Sequence, residues 1–231
     1  MAESCLFYYI TDRRAFPGDQ LAQRRRLLEK ISEAARAGVN YIQLREKDLA
    51  TRDLESLASE AVNIIREARL ATGNRQLTTA LLINSRTDVA IATETDGVHL
   101  RSDDISPQEV RRIWGAGNAD CGRGRLARSL PPQPPMIAVS CHSPAEVAQA
   151  AASGGTFAVF GPVFQKKDTA PAGLASLREA CQSTIPVLAL GGVTLSNARS
   201  CLEAGAAGIA AIRLFQDNDI AAVVNQLRSN N

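Results

Sequence analysis

The sequence lacks any apolar run approaching the roughly 20 residues that cross a bilayer, so no spanning helix is expected. It lacks a Cys-x-x-Cys pair as well. The five cysteines, Cys5, Cys121, Cys141, Cys181 and Cys201, are odd in number and widely spaced, which argues against a disulfide framework or a zinc site. Met1 is followed by Ala2-Glu3-Ser4, with neither a basic start nor an apolar core behind it, so the cytoplasm is the expected compartment. Aromatic residues make up only 4% of the chain, with a single Trp, which leaves no platform for stacking bases. Charge of one sign is not in excess: the net value of +2 gives no electrostatic case for a nucleic-acid partner. The Arg24-Arg25-Arg26 cluster reads as the solvated face of a helix.

What is present is a regular alternation. The chain has 231 residues, 45% of them hydrophobic, close to the length of about 250 residues common for one (β/α)₈ barrel. Short β-rich runs are expected as strands at Leu6–Thr11, Tyr41–Arg45, Ala80–Asn84, Gly97–Leu100, Met136–Cys141, Phe157–Phe164, Pro186–Leu190 and Gly208–Leu214. Between them lie amphipathic stretches, the clearest being Asp53–Leu70. There Leu54, Leu57, Ala58, Ala61, Val62, Ile64, Ile65 and Ala68 recur at three- and four-residue spacing. Ser106-Pro107-Gln108-Glu109 and Ser143-Pro144-Ala145-Glu146 have the chemistry of helix starts, with weaker caps at Thr51 and Thr194. Gly38, Gly154 and Gly205 suit the left-handed position after a helix. Strict alternation implies parallel strands with right-handed crossovers, and eight units favour a closed TIM barrel spanning residues 1–231 as one α/β domain. Only Gly115–Pro135, rich in glycine and ending in prolines, breaks the rhythm; a flexible surface loop is expected over 115–135.

Function in such a barrel sits at the C-terminal ends of the strands. Alternation along Gln43-Leu44-Arg45-Glu46-Lys47 sends Gln43, Arg45 and Lys47 to one side, an amide and two cations suited to a polyanion. Solvated charges at a strand end would look the same. Strand three ends in Asn84-Ser85-Arg86, and strand four runs on to Asp103-Asp104, where a carboxylate can hold Mg²⁺ or simply cap a helix. Gly191-Gly192 after strand seven, with Ile212 and Arg213 at the end of strand eight, match the place where these barrels bind phosphate on backbone N–H groups. His142, two residues after Ser140, is either a general acid or base or a packing residue; His99, inside strand four, reads as structural.

Taken together, Tyr9-Ile10-Thr11-Asp12, Gln43–Lys47, Ile83-Asn84 with Arg86, Asp96–Leu100 with Asp104, Ser140 with His142, Gly161–Phe164, Ala189–Gly192 and Ala204–Gly208 resemble thiamine phosphate synthase along nearly the whole chain. Thiazole tautomerases share the barrel and many of these blocks. The resemblance to the synthase implies a transferase of thiamine biosynthesis. It would join hydroxymethylpyrimidine diphosphate to thiazole phosphate and release pyrophosphate. The resemblance also implies roles: Gln43, Arg45, Lys47 and Asn84 on the diphosphate, Asp104 on Mg²⁺, Ser140 and Lys167 on the phosphates, and Gly191, Gly192, Ile212 and Arg213 on the thiazole phosphate. Several positions depart from the family pattern. Ser85 stands where Asp is usual, Arg101-Ser102 replaces Gly-Gln, Arg213 replaces a small residue, and Gln165-Lys166-Lys167-Asp168-Thr169 shortens a phosphate loop. Two alternatives stay open: a thiazole tautomerase using His142, and a non-catalytic binder of thiamine-pathway phosphates. The two small molecules are the implied partners, neither nucleic acid nor a membrane is expected, and a homo-oligomer remains open.

Overall fold

In the computed structural model, residues 5–72, 78–119, 133–165 and 170–229 are described. Eight strands pair in parallel and in sequence order, the last returning to the first to close a barrel. They are β1 (Leu6–Ile10), β2 (Tyr41–Leu44), β3 (Ala80–Asn84), β4 (Gly97–Leu100), β5 (Met136–Cys141), β6 (Phe157–Phe160), β7 (Val187–Leu190) and β8 (Gly208–Ala211). The surrounding helices are α1 (Gln20–Ala37), α2 (Thr51–Thr72), α3 (Thr87–Ala92), α4 (Pro107–Ala119), α5 (Pro144–Ala152), α6 (Gly173–Ala180), α7 (Ala198–Glu203), α8 (Arg213–Gln216) and α9 (Ile220–Ser229). The expected (β/α)₈ architecture is the observed one. None of these helices is long and apolar enough to cross a membrane.

Local chemistry sets the helix ends. Ser106 and Glu109 form a reciprocal box: the Ser hydroxyl accepts the Glu109 N–H at 3.2 Å and the Glu carboxylate accepts the Ser106 N–H at 3.0 Å. At α5 the Ser143 hydroxyl accepts the Glu146 N–H, but the Glu146 carboxylate takes the N–H of His142. Gly38, Gly154 and Gly205 all have positive φ at the helix ends, as expected. Thr51 is the first residue of α2 rather than its cap.

The first, second and seventh strands differ from expectation by one residue at one end, and three boundaries differ by more. The sixth strand stops at Phe160 instead of Phe164, because Pro162 has no N–H for a ladder and Val163 and Phe164 donate instead to Leu190 O and Gly191 O beside β7. The eighth stops at Ala211, and Arg213 begins α8. The expected loop over 115–135 is helical as far as Ala119. Val110 and Trp114, one turn apart, are buried and carry α4's apolar face forward; the two glycines that follow weaken a helix by only about 1 kcal/mol each. Residues 120–132 of that segment lie outside the described residues.

Alternate residues fill the barrel. Tyr8, Ile10, Ala80, Leu82, Ala138, Phe157, Val159, Leu188 and Ala210 form the interior cluster, separate from the larger layer between strands and helices. Tyr41 stacks on Phe157 with ring centroids 4.6 Å apart, and Tyr8 meets the same ring edge-on at 5.6 Å. Closure needs little bulk opposite β1: a Cβ at Gly208 would lie 2.0 Å from the Leu6 carbonyl oxygen. Gly208→Ala is therefore expected to lower stability by about 1–3 kcal/mol in urea unfolding, since relief requires the β1–β8 pair to move apart; an unchanged midpoint would refute the close approach.

One polar chain crosses this interior. The buried Tyr8 hydroxyl lies 2.9 Å from Nδ1 of His99, and Nε2 of His99 lies 2.7 Å from Ser140 Oγ. Burial, with Arg45 adding to it and Asp104 opposing, holds the imidazole far below its usual 6.5, at about 3. In the unfolded chain the ring titrates near 6.5, so between that value and about 3 the unfolded state carries the extra proton. Stability present above pH 6.5 then declines as pH falls through that window. Between roughly pH 7 and pH 5 the wild type is expected to lose about 2 kcal/mol more than His99→Gln in urea titrations. Parallel losses in the two proteins would show that the ring becomes charged inside the barrel.

Candidate active site at the barrel mouth

The C-terminal ends of the strands are organised around a buried carboxylate. Glu46, on the opposite parity from Arg45 and Lys47, is 5% exposed. It accepts the Thr11 hydroxyl at 2.6 Å, the Arg13 N–H at 3.1 and 3.2 Å, and the Arg13 guanidinium at 3.2 Å. That guanidinium also reaches Asp48 with two bonds, at 2.6 and 2.8 Å, holding the Asp48 carboxyl below its ordinary range. Thr11 Oγ in turn accepts the Arg45 N–H at 3.0 Å. The chain after β1 is thereby fastened to the chain after β2, and Arg45 and Lys47 are presented on either side of a fixed residue. On the far flank, Gln216 accepts from the Tyr9 hydroxyl and the Asp12 N–H and donates to Asp12 O, tying α8 to the same segment.

A second line of contacts runs from β2 to β4. Gln43 Nε2 donates to Asn84 Oδ1 at 2.8 Å, Asn84 Nδ2 to Ser85 Oγ at 3.2 Å, and Ser85 Oγ to Asp104 Oδ2 at 2.7 Å. Ser85 has a φ of 59°, a left-handed backbone uncommon outside glycine, which turns its hydroxyl towards Asp104. Asp104 Oδ2 also accepts the Arg101 N–H at 2.7 Å, and the Arg101 guanidinium lies 3.5 Å from Oδ1 and 3.0 Å from Asp103. Lys47 titrates below the usual lysine range, first because of Arg45, then burial and Arg101, with Asp103 and Asp104 opposing. Three cations from β2 and β4 therefore share one electrostatic neighbourhood.

The structure brings Gln43, Arg45, Lys47, Asn84 and Asp104 together there, with Ser140 behind Asn84 through His99, which pairs with both β3 and β5. His142 is exposed at the end of β5, and its Nδ1 lies 2.5 Å from the Gly161 carbonyl oxygen. An oxygen of that kind only accepts, so Nδ1 carries a proton, and in the neutral form of the ring Nε2 is the nitrogen with the lone pair. Gly191 and Gly192 have φ of 95° and 67°, and a Cβ on Gly191 would lie 2.6 Å from Pro162. Packing of the β6 and β7 ends thus demands glycine independently of any phosphate. Among the described residues, the N–H groups of Gly192 and Val193 make no hydrogen bond, and both precede the turn into α7. Ile212 and Arg213 open α8, with Arg213 exposed to solvent. Lys167 lies outside the described residues.

Sequence reasoning missed Arg13, Glu46 and Asp48 as the fastening of the mouth. The available signal was parity: in Gln43–Lys47 the one carboxylate occupies the phase that points away from the amide and cations. An open groove of about 760 Å³ lies elsewhere, on the outer surface between α1 and α2, lined by Leu21, Leu28 and Ile64 among charged residues. It contains none of the strand-end groups.

With this geometry in hand, the comparisons are specific. The family model described as thiamine monophosphate synthase matches residues 7–119 and 117–215. A thiamine-phosphate synthase of Roseiflexus castenholzii is 35% identical over 212 residues, covering 90% of this chain and 79% of that protein. One from Clostridium novyi is 34% identical over 217 residues, covering 92% and 91%. The solved thiamine phosphate pyrophosphorylase from Pyrococcus furiosus superposes with a TM-score of 0.75 at 27% identity, covering 99% of this chain and 96% of that one. The barrel, the order of its mouth residues and these likenesses along its length agree: the chain belongs to the thiamine monophosphate synthase family.

Proposed function

We propose that this protein forms thiamine phosphate from hydroxymethylpyrimidine diphosphate and thiazole phosphate. The carbon–oxygen bond to the diphosphate breaks, and pyrophosphate leaves with the electron pair. The thiazole nitrogen then forms the new bond to the exposed methylene carbon. The observation that carries this reading is the placement of Arg45 and Lys47 after the end of β2 and of Arg101 after the end of β4, at the same end of the barrel as the Gln43–Asn84 amide pair. Charge accumulates on the leaving diphosphate in such a step, and fixed cations and donors stabilise it because they are in place before it develops. Arg45 and Lys47 bind the diphosphate oxygens, Gln43 and Asn84 orient them, and Ser140 donates from the barrel floor. Gly192, Val193 and the start of α8 receive the phosphate of the thiazole partner, with Gly191 permitting the close approach and Ile212 and Arg213 bordering it.

Magnesium is the group the family resemblance implies, with Asp104 as its ligand. The residues present do not fit it. Asp104 Oδ2 already accepts two hydrogen bonds at 2.7 Å, Oδ1 faces a guanidinium, and residue 85 offers a hydroxyl that donates rather than a second carboxylate. No step is therefore assigned to the ion.

One observation favours a second reading. His142, exposed and fixed as the Nδ1–H form, has Nε2 available as a proton acceptor at the mouth, which suits tautomerisation of a thiazole carboxylate phosphate. Mixing both synthase substrates with the purified protein separates the two. Thiamine phosphate is the expected product, and Arg45→Ala or Lys47→Ala is expected to lower kcat/KM at least about tenfold by removing a charge-assisted contact. Rates unchanged in both variants would reject the assignment. Isomerisation of the thiazole that disappears in His142→Ala would establish the tautomerase instead, and saturable binding without turnover in either assay would leave a binder.

A further inference from the structure

Asp104 and Arg101 form an internal ion pair at the place where a diphosphate enters. The Asp104 side chain is 12% exposed and held from three directions: by the Ser85 hydroxyl, by the Arg101 N–H and by the Arg101 guanidinium at 3.5 Å. Arg101 itself is 46% exposed, and its other partner, Asp103, is 68% exposed. Pairs this open to water hold a side chain weakly, so the guanidinium can exchange a carboxylate for a phosphate at little cost. Its neighbours are already cationic. Arg45 and Arg101 both act on Lys47 strongly enough to lower its proton affinity, a repulsion that an arriving polyanion relieves.

We infer that Arg101 neutralises the diphosphate in place of a divalent cation, so that the mouth binds diphosphate without metal. The inference rests on the reading of this mouth as a diphosphate site. Two features argue for Arg101 rather than for an ion seated on Asp104. A divalent cation on Asp104 would have to displace the two donors on Oδ2 or enter beside the guanidinium that faces Oδ1, and it would add two positive charges beside Arg45, Lys47 and Arg101. A planar guanidinium, by contrast, meets two phosphate oxygens at once and needs no coordination shell. The left-handed Ser85 has a purpose in this arrangement. By donating to Asp104 it stabilises the carboxylate that parks Arg101 while the site is empty, without adding a second negative charge that would oppose the substrate.

Isothermal titration of the full chain with inorganic pyrophosphate tests this, in buffer containing EDTA and again in millimolar magnesium chloride. Saturable binding is expected in EDTA. Arg101→Gln is expected to weaken metal-free binding at least about tenfold, and Arg101→Lys to recover part of it, as a point charge does for a lost fork. Urea midpoints of both variants, at a half-exposed position, establish that folding is intact. Wild-type protein that binds pyrophosphate only with magnesium, or a folded Arg101→Gln that binds as the wild type does, overturns the inference. The titration is independent of bond formation. Metal-free pyrophosphate binding without thiamine phosphate synthesis refutes the proposed reaction and leaves Arg101 its role. Synthesis that requires magnesium, with no metal-free binding, refutes the role of Arg101 and leaves the reaction.

Discussion

Pairing of β8 back onto β1 is the constraint on which the rest of this structure depends. A parallel sheet of eight strands has no exposed edge only when it closes, and closure fixes which phase of every strand faces inward. A shift of one residue in any strand would turn its inward set out among the helices. Gln43, Asn84, His99 and Ser140 belong to that inward set, one each from β2, β3, β4 and β5. Their meeting at one end follows from closure: all eight strands run the same way, so side chains separated by nearly a hundred positions share a single mouth. Leu6 and Gly208 set the tolerance at the closing pair, with backbone approaching backbone too closely for a methyl group.

Charge at that mouth is arranged in two layers. Below lies Glu46, a carboxylate out of water, which is stable there because Thr11 and Arg13 supply donors and countercharge. Removing Arg13 alone would strand a buried charge, so its contact to Glu46 fixes geometry more than it adds stability. Above lie Arg45 and Lys47, on the other phase of the same strand end. Because Glu46 is already committed to Arg13, it does not neutralise them. The strand thus separates a closed ion cluster from an open cationic one using nothing but alternation, and the carboxylates of Asp103 and Asp104 offset the repulsion that Arg45 and Arg101 exert on Lys47 only in part.

Much of this was legible in the amino-acid order because it rests on local patterns. The apolar stripe of α2, the box at Ser106 and Glu109, and the strands Ala80–Asn84, Gly97–Leu100 and Met136–Cys141 depend on spacing and capping, which a single segment carries by itself. The boundaries that slipped are those decided by a neighbour. Phe157–Phe164 looks continuous by composition, but Val163 and Phe164 bond to the end of β7, and only the folded sheet places that end within reach. Arg13 gives no sign in a linear reading that its partners are 33 and 35 positions away. Arg101 and Asp104 were each noticeable as departures or candidates, yet their opposition depends on a tight turn after β4 in which the backbone of one caps the carboxylate of the other.

Proton positions carry the site's logic into the barrel interior. Tyr8 is fully buried, and among the described residues its hydroxyl meets only His99, so the O–H must donate to Nδ1 or remain unsatisfied. His99 is neutral across the physiological range, which then places its single proton on Nε2, where it donates to Ser140 Oγ. With its oxygen already accepting, Ser140 has its own proton to give, and the direction left for it is the mouth. A neutral histidine thereby makes the Ser140 hydroxyl an acceptor towards the interior and leaves the hydroxyl's own proton free to be donated. The reverse tautomer would have Nδ1–H donate to the phenol oxygen, leave the buried phenol proton unpaired and turn the Ser140 proton inward onto Nε2, so burial at the base of the chain determines polarity at its end.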